Sequence, residues 1–505
     1  MFKVPIQKLN IVLDEFGIEN GWKSILATHI RQMNNPELDY VLKQKEFLDY
    51  KILDIDLIGF LSIGEISALY EYSLAYVDSK KRKEDGQYFT PDDVAQLMAK
   101  KSLNFSVNKI WLDPCSGVGN LSFWLIKLQK DPEKFLNSKI YLIDKDKTAL
   151  FIARTLFTIN FQNKNKNLFF DLAPKFLIMD FLYSEKLPKF DFAILNPPYV
   201  GVSADYKFET AEACDLYAYF IERAIKLSKG FISVSPQNFT NGQKFQSFRK
   251  LLIDKMKDIS IYCFDNVPDN IFKGIKFGSI NTNKANSTRA GIIVAKKNGR
   301  QIFRITPLLR WRAAERKKML DIVDDYLTET KPTSIIFPKI QKEFLALYQE
   351  ALNSKFFLIH LVSQNPTPYK LVVPSTPRYF ISALKTDVNR SSFKTLYFYN
   401  KKDLNLAYLL LNSSYIYWWW RVNDGGMTIS EKTLLSLPIP ENIEINKNII
   451  FKIEKSESIN RVVKKNAGKD NENVKHSQGL VEEINKIIFP KFVSAFSLLH
   501  NNSVI

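Results

Sequence analysis

The chain reads as an α/β protein: a Rossmann-like sheet with a helical region before it and a mixed α+β region after it. Three observations predict this. Short apolar runs at 110–112, 139–143, 176–179 and 190–195 are separated by segments long enough for crossover helices, the pattern of a parallel sheet. Each of these runs ends at or beside a polar residue, and ligands bind at the carboxyl ends of strands in open α/β sheets. The first run also leads into a turn with two glycines. With 505 residues the chain is expected to hold two or three domains, and 46% hydrophobic residues suffice for substantial cores.

Residues 1–84 carry helical periodicity at Ile11, Leu13, Phe16, Ile25 and Ile30, and again over 58–75. A small N-terminal helical domain is expected there, ending in the charged run Lys80-Lys81-Arg82-Lys83-Glu84-Asp85, which reads as a linker. Gly86-Gln87-Tyr88-Phe89-Thr90-Pro91 follows. Ahead of Asp92 and Asp93 its last two residues predict a helix start, with Thr90 as N-cap and Pro91 in the first helical position. Between the first strand and a helix over 121–128 lies Asp113-Pro114-Cys115-Ser116-Gly117-Val118-Gly119-Asn120. Glycines there permit positive φ and let a ligand approach the backbone. The second strand ends in Asp144, where a doubly wound sheet would hold a ribose diol. Asp180 ends the third strand and Asn196 the fourth.

The tetrapeptide Asn196-Pro197-Pro198-Tyr199 is the most informative feature. It offers a side-chain amide acceptor, a backbone carbonyl stiffened by two prolines, and an aromatic face. Each proline fixes its own φ and disfavours helix in the residue before it, so Asn196 and Pro197 are expected to be extended. Such a trio suits a planar ring that carries an exocyclic amino group.

In this order the motifs resemble those of the S-adenosylmethionine-dependent amino-methyltransferases of DNA, in the adenine-N6 group with gamma-class motif order. That family shows a GxYxTP-like segment, a glycine-rich turn, an acid at a strand end, a second acid and then Asn-Pro-Pro-Tyr. All five occur here between Gly86 and Tyr199, and the likeness extends over roughly 85–300. Cys115-Ser116 stands where many members carry another small pair. The resemblance implies a methyltransferase sheet that binds S-adenosylmethionine through Tyr88, Thr90, Asp113, Cys115, Ser116, Gly117, Gly119, Asp144, Asp180 and Asn196. It also implies an adenine flipped from double-stranded DNA and held by Asn196, Pro197, Pro198 and Tyr199. A second aromatic is expected on the other face of the base, and Phe272 is chosen over Phe277. Ser235-Pro236-Gln237-Asn238-Phe239 is taken as architecture near the pocket. A cognate restriction endonuclease encoded separately is the implied protein partner.

Charge agrees with a polyanionic partner: the formal net charge is +18. Between Ile271 and Lys318 there are 13 Lys or Arg and one acid, Glu315, a difference of +12. Lys273, Lys276, Lys296, Lys297 and Arg300 are expected to contact phosphates beside the base pocket. With the resemblance, three domains are expected: 1–84 helical, 85–318 catalytic and, as the family implies, 319–505 target-recognition. In the last, a helix over 404–411 leads into Tyr415-Ile416-Tyr417-Trp418-Trp419-Trp420-Arg421, then the turn Asp424-Gly425-Gly426. Most of those tryptophans are expected in the core, with Arg421 and Asn423 reaching DNA. Residues 464–473 read as a mobile loop.

Other classes are disfavoured. Cys115, Cys214 and Cys263 have no paired spacing, and the four histidines form no ligand set, so neither a disulfide framework nor a metal site is expected. The first residues lack a signal-peptide layout, no apolar run reaches membrane-spanning length, and a cytoplasmic location is expected. Residues 1–80 show no nuclease cluster of paired acids and a lysine. Three alternatives stay open: methylation of a protein glutamine amide, since release-factor methyltransferases share Asn-Pro-Pro-Tyr; cytosine-N4 methylation; and a DNA-binding subunit with an inactive catalytic domain.

Overall fold

A computed structural model describes residues 6–77, 90–106, 108–272, 276–277, 280–281, 289–377, 379–424, 428–441, 443–466 and 469–500. Tyr88, Lys273, Gly425, Gly426 and the charged run 80–85 lie outside the described residues. So does the side chain of Lys276. The chain forms two compact units, one of residues 1–304 with 331–335 and the other of 305–330 with 336–505. The expected boundaries at 84/85 and 318/319 are therefore not where the units divide. The N-terminal helices belong to the first unit together with the sheet.

Seven strands of a nine-stranded sheet lie wholly in the first unit: β1 (Trp111–Asp113), β2 (Ile140–Asp144), β3 (Phe176–Ile178), β4 (Phe192–Leu195), β5 (Gly230–Pro236), β6 (Asp258–Phe264) and β7 (Ala290–Lys296). Their order across the sheet is β3-β2-β1-β4-β5-β7-β6. Strands β3, β2, β1, β4 and β5 are parallel neighbours. β7 runs antiparallel to both β5 and β6, entering with Ala290 beside Pro236 and leaving with Lys296 beside Gly230. The central strands are buried on both faces, as parallel strands covered by helices must be: Leu112, Ile140, Leu142, Ile143, Ala193 and Ile194 are all inaccessible. The order reverses between β1 and β4, which opens a crevice at their carboxyl ends. A further strand, β8 (Ile302–Leu309), starts in the first unit and ends in the second.

The helices that frame the crevice are α1 (Ile6–Gln32), α2 (Ile63–Val77), α3 (Asp92–Lys101), α4 (Asn120–Lys127), α5 (Lys147–Phe161) and α6 (Leu216–Leu227). α5 starts where Asp146 accepts from the backbone N–H groups of Thr148 and Ala149, a side-chain N-cap. α3 starts differently from expectation. Pro91 occupies the cap, Val94 and Ala95 donate to its carbonyl, and Thr90 stands one residue outside the helix.

In the second unit, β9 (Val362–Ser363), β10 (Lys370–Pro374) and β11 (Phe393–Phe398) form an antiparallel sheet in the order β9-β11-β10. It packs with α7 (Lys401–Leu411), α8 (Ser414–Asn423), α9 (Lys447–Ile459) and α10 (Gln478–Ile488) around one core. Trp418 and Trp420 are about 1% exposed and Trp419 6%, so the aromatic run is core, as read. The segment read as a loop is instead a hairpin: β12 (Arg461–Asn466) pairs with β13 (Lys469–Val474). Cross-strand pairing and the Arg461–Glu472 ion pair hold this polar stretch, which composition alone does not report.

Candidate active site

The ends of β1, β2 and β4 and the start of α4 enclose a cavity of about 710 Å³, within the range of small-molecule sites. Thr90, Asp113, Cys115, Ser116, Gly117, Asp144, Asn196, Pro197 and Pro198 line it. Nine of the residues expected at the site thus share one space. Gly119, Tyr199 and Phe272 stand behind or beside that wall, and Asp180 is not part of it.

The glycine turn is tight and its two glycines do different work. Ser116 donates its N–H to the Ile143 carbonyl (3.0 Å), and Gly119 donates to the Ser116 carbonyl (2.8 Å). Gly117 has φ +52° and no atom within 4 Å of where a Cβ would sit, so its backbone faces open space. Gly119 has φ +85°, and a Cβ there would meet the Phe157 ring at 2.8 Å. The first glycine admits a ligand; the second admits the helix against the sheet.

Two acids face the cavity in different ways. Asp144 accepts the Gly117 N–H on Oδ2 (2.7 Å) and the Asp146 N–H on Oδ1 (3.0 Å). Burial nevertheless pushes its carboxyl above the ordinary range. Asp113 is about 1% exposed, and burial raises its carboxyl to about 7, opposed by the Ser122 hydroxyl 2.8 Å from Oδ2. Oδ1 of Asp113 has no hydrogen-bond partner in the protein. A buried carboxylate oxygen left in this condition suits a cationic ligand. Cys115, partly exposed, lines the cavity as a small side chain, and desolvation pushes its thiol up.

Asn196 is held by two neighbours. Its Nδ2 donates to Thr90 Oγ1 (2.8 Å), while the Tyr199 hydroxyl donates to its Oδ1 and also lies 3.1 Å from the Val234 carbonyl. Thr90 is itself 5% exposed, and its carbonyl accepts from Asn120 Nδ2 (2.6 Å). The hydroxyl expected to cap α3 instead orients the amide of the Asn-Pro-Pro-Tyr loop. The Tyr199 ring is fixed at its hydroxyl end and meets Phe272 at 6.1 Å between centroids, inclined by 59°. Tyr217 meets the same ring edge-on at 6.3 Å, and the side chain of Phe277 lies outside the described residues.

Asp180 has other work. It accepts the Leu182 N–H on Oδ1 (2.8 Å) and pairs with Lys145 on Oδ2 (2.7 Å), while its neighbours Phe181 and Leu182 line the cavity. The basic cluster also needs correction. Lys296, Lys297 and Arg300 follow β7 to the amino-terminal edge of β5, across the sheet from Asn196. Lys296 pairs with Asp258 (2.8 Å), as does Arg304, and Lys297 donates to the Lys226 carbonyl (3.3 Å). Arg289 pairs with buried Asp265. Arg421, expected at DNA, donates to the Leu308 carbonyl (3.1 Å). Sequence reasoning missed one wall of the cavity altogether: Ile18 and Glu19 of α1, and Ser67, Tyr70, Glu71 and Leu74 of α2.

S-adenosylmethionine carries an ammonium, a sulfonium and a ribose diol. The partnerless Asp113 oxygen fits a positive end and the Asp144 carboxylate fits the diol, while the open Gly117 backbone leaves room for close approach. Residues 92–272 match the family described as Eco57I restriction-modification methylase. The Type II methyltransferase M.PstI of Providencia stuartii is 26% identical over 219 residues, covering 40% of this chain and 43% of that protein. M.BsuBI of Bacillus subtilis is 27% identical over 215 residues, covering 38% and 42%. The chain spans less than half the length of these curated relatives. Among solved structures, the type IIG restriction endonuclease BpuSI superposes with a TM-score of 0.46 and 10% identity, covering 98% of this chain and 79% of that one. The glycine turn, the acids beside it and the family match agree: residues 92–272 form an S-adenosylmethionine-dependent methyltransferase domain of the restriction-modification type.

Proposed function

We propose that this protein is a site-specific DNA methyltransferase that transfers a methyl group to N6 of an adenine flipped out of double-stranded DNA. It would supply the modification activity of a cytoplasmic restriction-modification system whose endonuclease is a separate chain. One observation carries the reading: Asn196, Pro197 and Pro198 line the same cavity as Gly117 and Asp144. On this reading the acceptors for the amino group and the cradle for the cofactor would meet in that space.

The bound cofactor supplies an activated methyl group. Asp144 would hold the ribose, Asp113 the positive end, and the Gly117 backbone would allow close approach. Adenine N6 is a weak nucleophile because its lone pair is delocalised into the ring. Asn196 Oδ1 and the Pro197 carbonyl would each accept one N6 hydrogen, drawing the nitrogen towards tetrahedral geometry. Its lone pair then points along one line at the methyl carbon. The N–C bond would form as the S–C bond breaks, leaving S-adenosylhomocysteine. The nitrogen, more acidic once alkylated, would lose its surplus proton to solvent, so no strong base is required and catalysis rests on alignment and electrostatics. An amide oxygen accommodates two donors, so Asn196 serves the base while Tyr199 steadies it. Thr90, by holding Nδ2, fixes which end of the amide faces the substrate. Tyr199 and Phe272 would stack on the two faces of the extruded base, and with their centroids 6.1 Å apart and the rings inclined, its entry would have to realign them. Incubation with labelled S-adenosylmethionine and genomic DNA should yield N6-methyladenine on nucleoside analysis. N4-methylcytosine, or label confined to protein, would overturn the adenine reading.

A further inference from the structure

The missed wall of the cavity has a working part. We infer that Tyr70 on α2 is a positioning residue of the cofactor site, fixing the turn after β2 in the shape that grips the ribose. This rests on the cofactor reading above and extends it to the N-terminal helices.

Four observations support it. The Tyr70 hydroxyl donates to Asp146 Oδ2 at 2.6 Å, across 76 positions of sequence. Asp146 in turn accepts the Thr148 N–H (2.9 Å) and the Ala149 N–H (3.1 Å) on Oδ1, and donates its own N–H to Asp144 (3.0 Å). The hydroxyl, the cap of α5 and the carboxylate expected to hold the ribose are therefore linked in one chain of bonds. Second, Tyr70 is rigidly mounted. It is 4% exposed, and Trp22 meets its ring edge-on at 5.5 Å while donating from Nε1 to Ser73 Oγ (3.2 Å). Third, burial and the adjacent Asp146 push the phenol far above its ordinary range, so it remains a donor at any working pH. Fourth, Ser67, Tyr70, Glu71 and Leu74 line the cavity at i, i+3, i+4 and i+7, a single helical face turned to the site. A helix that served only the core would present an apolar stripe there. This one presents a hydroxyl, a phenol and a carboxylate.

The test uses the full chain and calorimetric titration of S-adenosylhomocysteine, alongside its 2′,3′-dideoxyribosyl analogue. Tyr70→Phe keeps the ring and removes one bond to a carboxylate. It is expected to weaken S-adenosylhomocysteine roughly tenfold and the dideoxy analogue less than twofold. With DNA and S-adenosylmethionine, KM for the cofactor should rise while kcat stays near wild type. Hydrogen exchange across 63–77 should slow on ligand binding in the wild type and less so in the variant. Equal weakening of both ligands would mean a general structural effect and would overturn the proposal, as would unchanged affinity. Wild-type protein that binds neither ligand would instead overturn the cofactor reading, and this inference with it.

Discussion

At the carboxyl edge of the sheet, Asp113, Gly117, Asp144 and Asn196 come from three strand ends spread over more than eighty residues, yet they line one cavity. At the opposite edge, Lys296, Lys297 and Arg300 are near neighbours in sequence, beside the span carrying Phe272, yet β7 has carried them across the sheet and away from that cavity. Sequence distance misleads in both cases, and topology explains why. In a parallel sheet every strand delivers its last residue to the same edge, so strand-end motifs converge whatever their spacing. An antiparallel strand delivers its two ends to opposite edges. The acids also differ in their settings. Asp113 has an oxygen without a partner, whereas Asp258 at the other edge already pairs with Lys296 and Arg304.

The largest effect is expected at the cavity. Asn196→Ala should lower turnover by about 10²–10³-fold, the cost of removing a preorganised polar group, while cofactor affinity by calorimetry stays within about twofold. Turnover near wild type would remove Asn196 from the mechanism and erase the contrast between the edges.

Next comes the base slot. Tyr199→Ala should cost roughly 1–3 kcal/mol in kcat/KM for DNA, the worth of one stacking face, and Tyr199→Phe much less. If the phenylalanine variant fails as badly as the alanine one, the hydroxyl bridge to Asn196 matters more than the ring.

A smaller, graded effect is expected with pH. Burial holds Asp113 protonated up to about 7, against 3.8 ordinarily. The folded state therefore binds a proton that the unfolded chain has lost. That contribution to stability is complete below 3.8 and disappears as pH rises through about 7. Ionisation across the same window creates the charge a cationic ligand needs, so affinity for S-adenosylmethionine should increase as pH passes about 7. Titrations at several pH values should show that slope in the wild type and its loss in Asp113→Asn.

The smallest effect belongs to the far edge. Lys297→Glu with Arg300→Glu should leave DNA affinity within about twofold and the salt dependence unchanged. A slope reduced by about one unit per charge would place phosphates at that edge and dissolve the comparison.

How far the sequence carried the reading depends on range. The strands β1 to β4, the glycine turn and the Asn-Pro-Pro-Tyr loop were legible because each is written in fewer than ten consecutive residues. The burial of Trp418 to Trp420 was legible from their density. Thr90 was misread as a cap because its partner, Asn196, lies 106 residues away, and the local pattern Thr-Pro-Asp-Asp satisfied a simpler rule. Tyr70 carries no local mark, since an amphipathic helix looks the same whether its face meets a core or a ligand cavity. The hairpin 461–474 was hidden by its polarity, and the basic run by partners such as Asp258 and Asp265 that precede the run in sequence.

Residues 331–335 return to the first unit after the chain has already left it. Arg249, 1% exposed, donates from Nε to the carbonyl of Ser334 in that excursion, and from Nη1 to the carbonyls of Phe239 and Gly242. The two halves are thus sewn by three crossings of the backbone, and no single cut frees either one whole. Anyone exchanging the carboxyl-terminal half for a cousin's, to borrow its preferences, must leave the five-residue stitch behind. A graft joined simply at 304/305 would leave a buried guanidinium short of an acceptor.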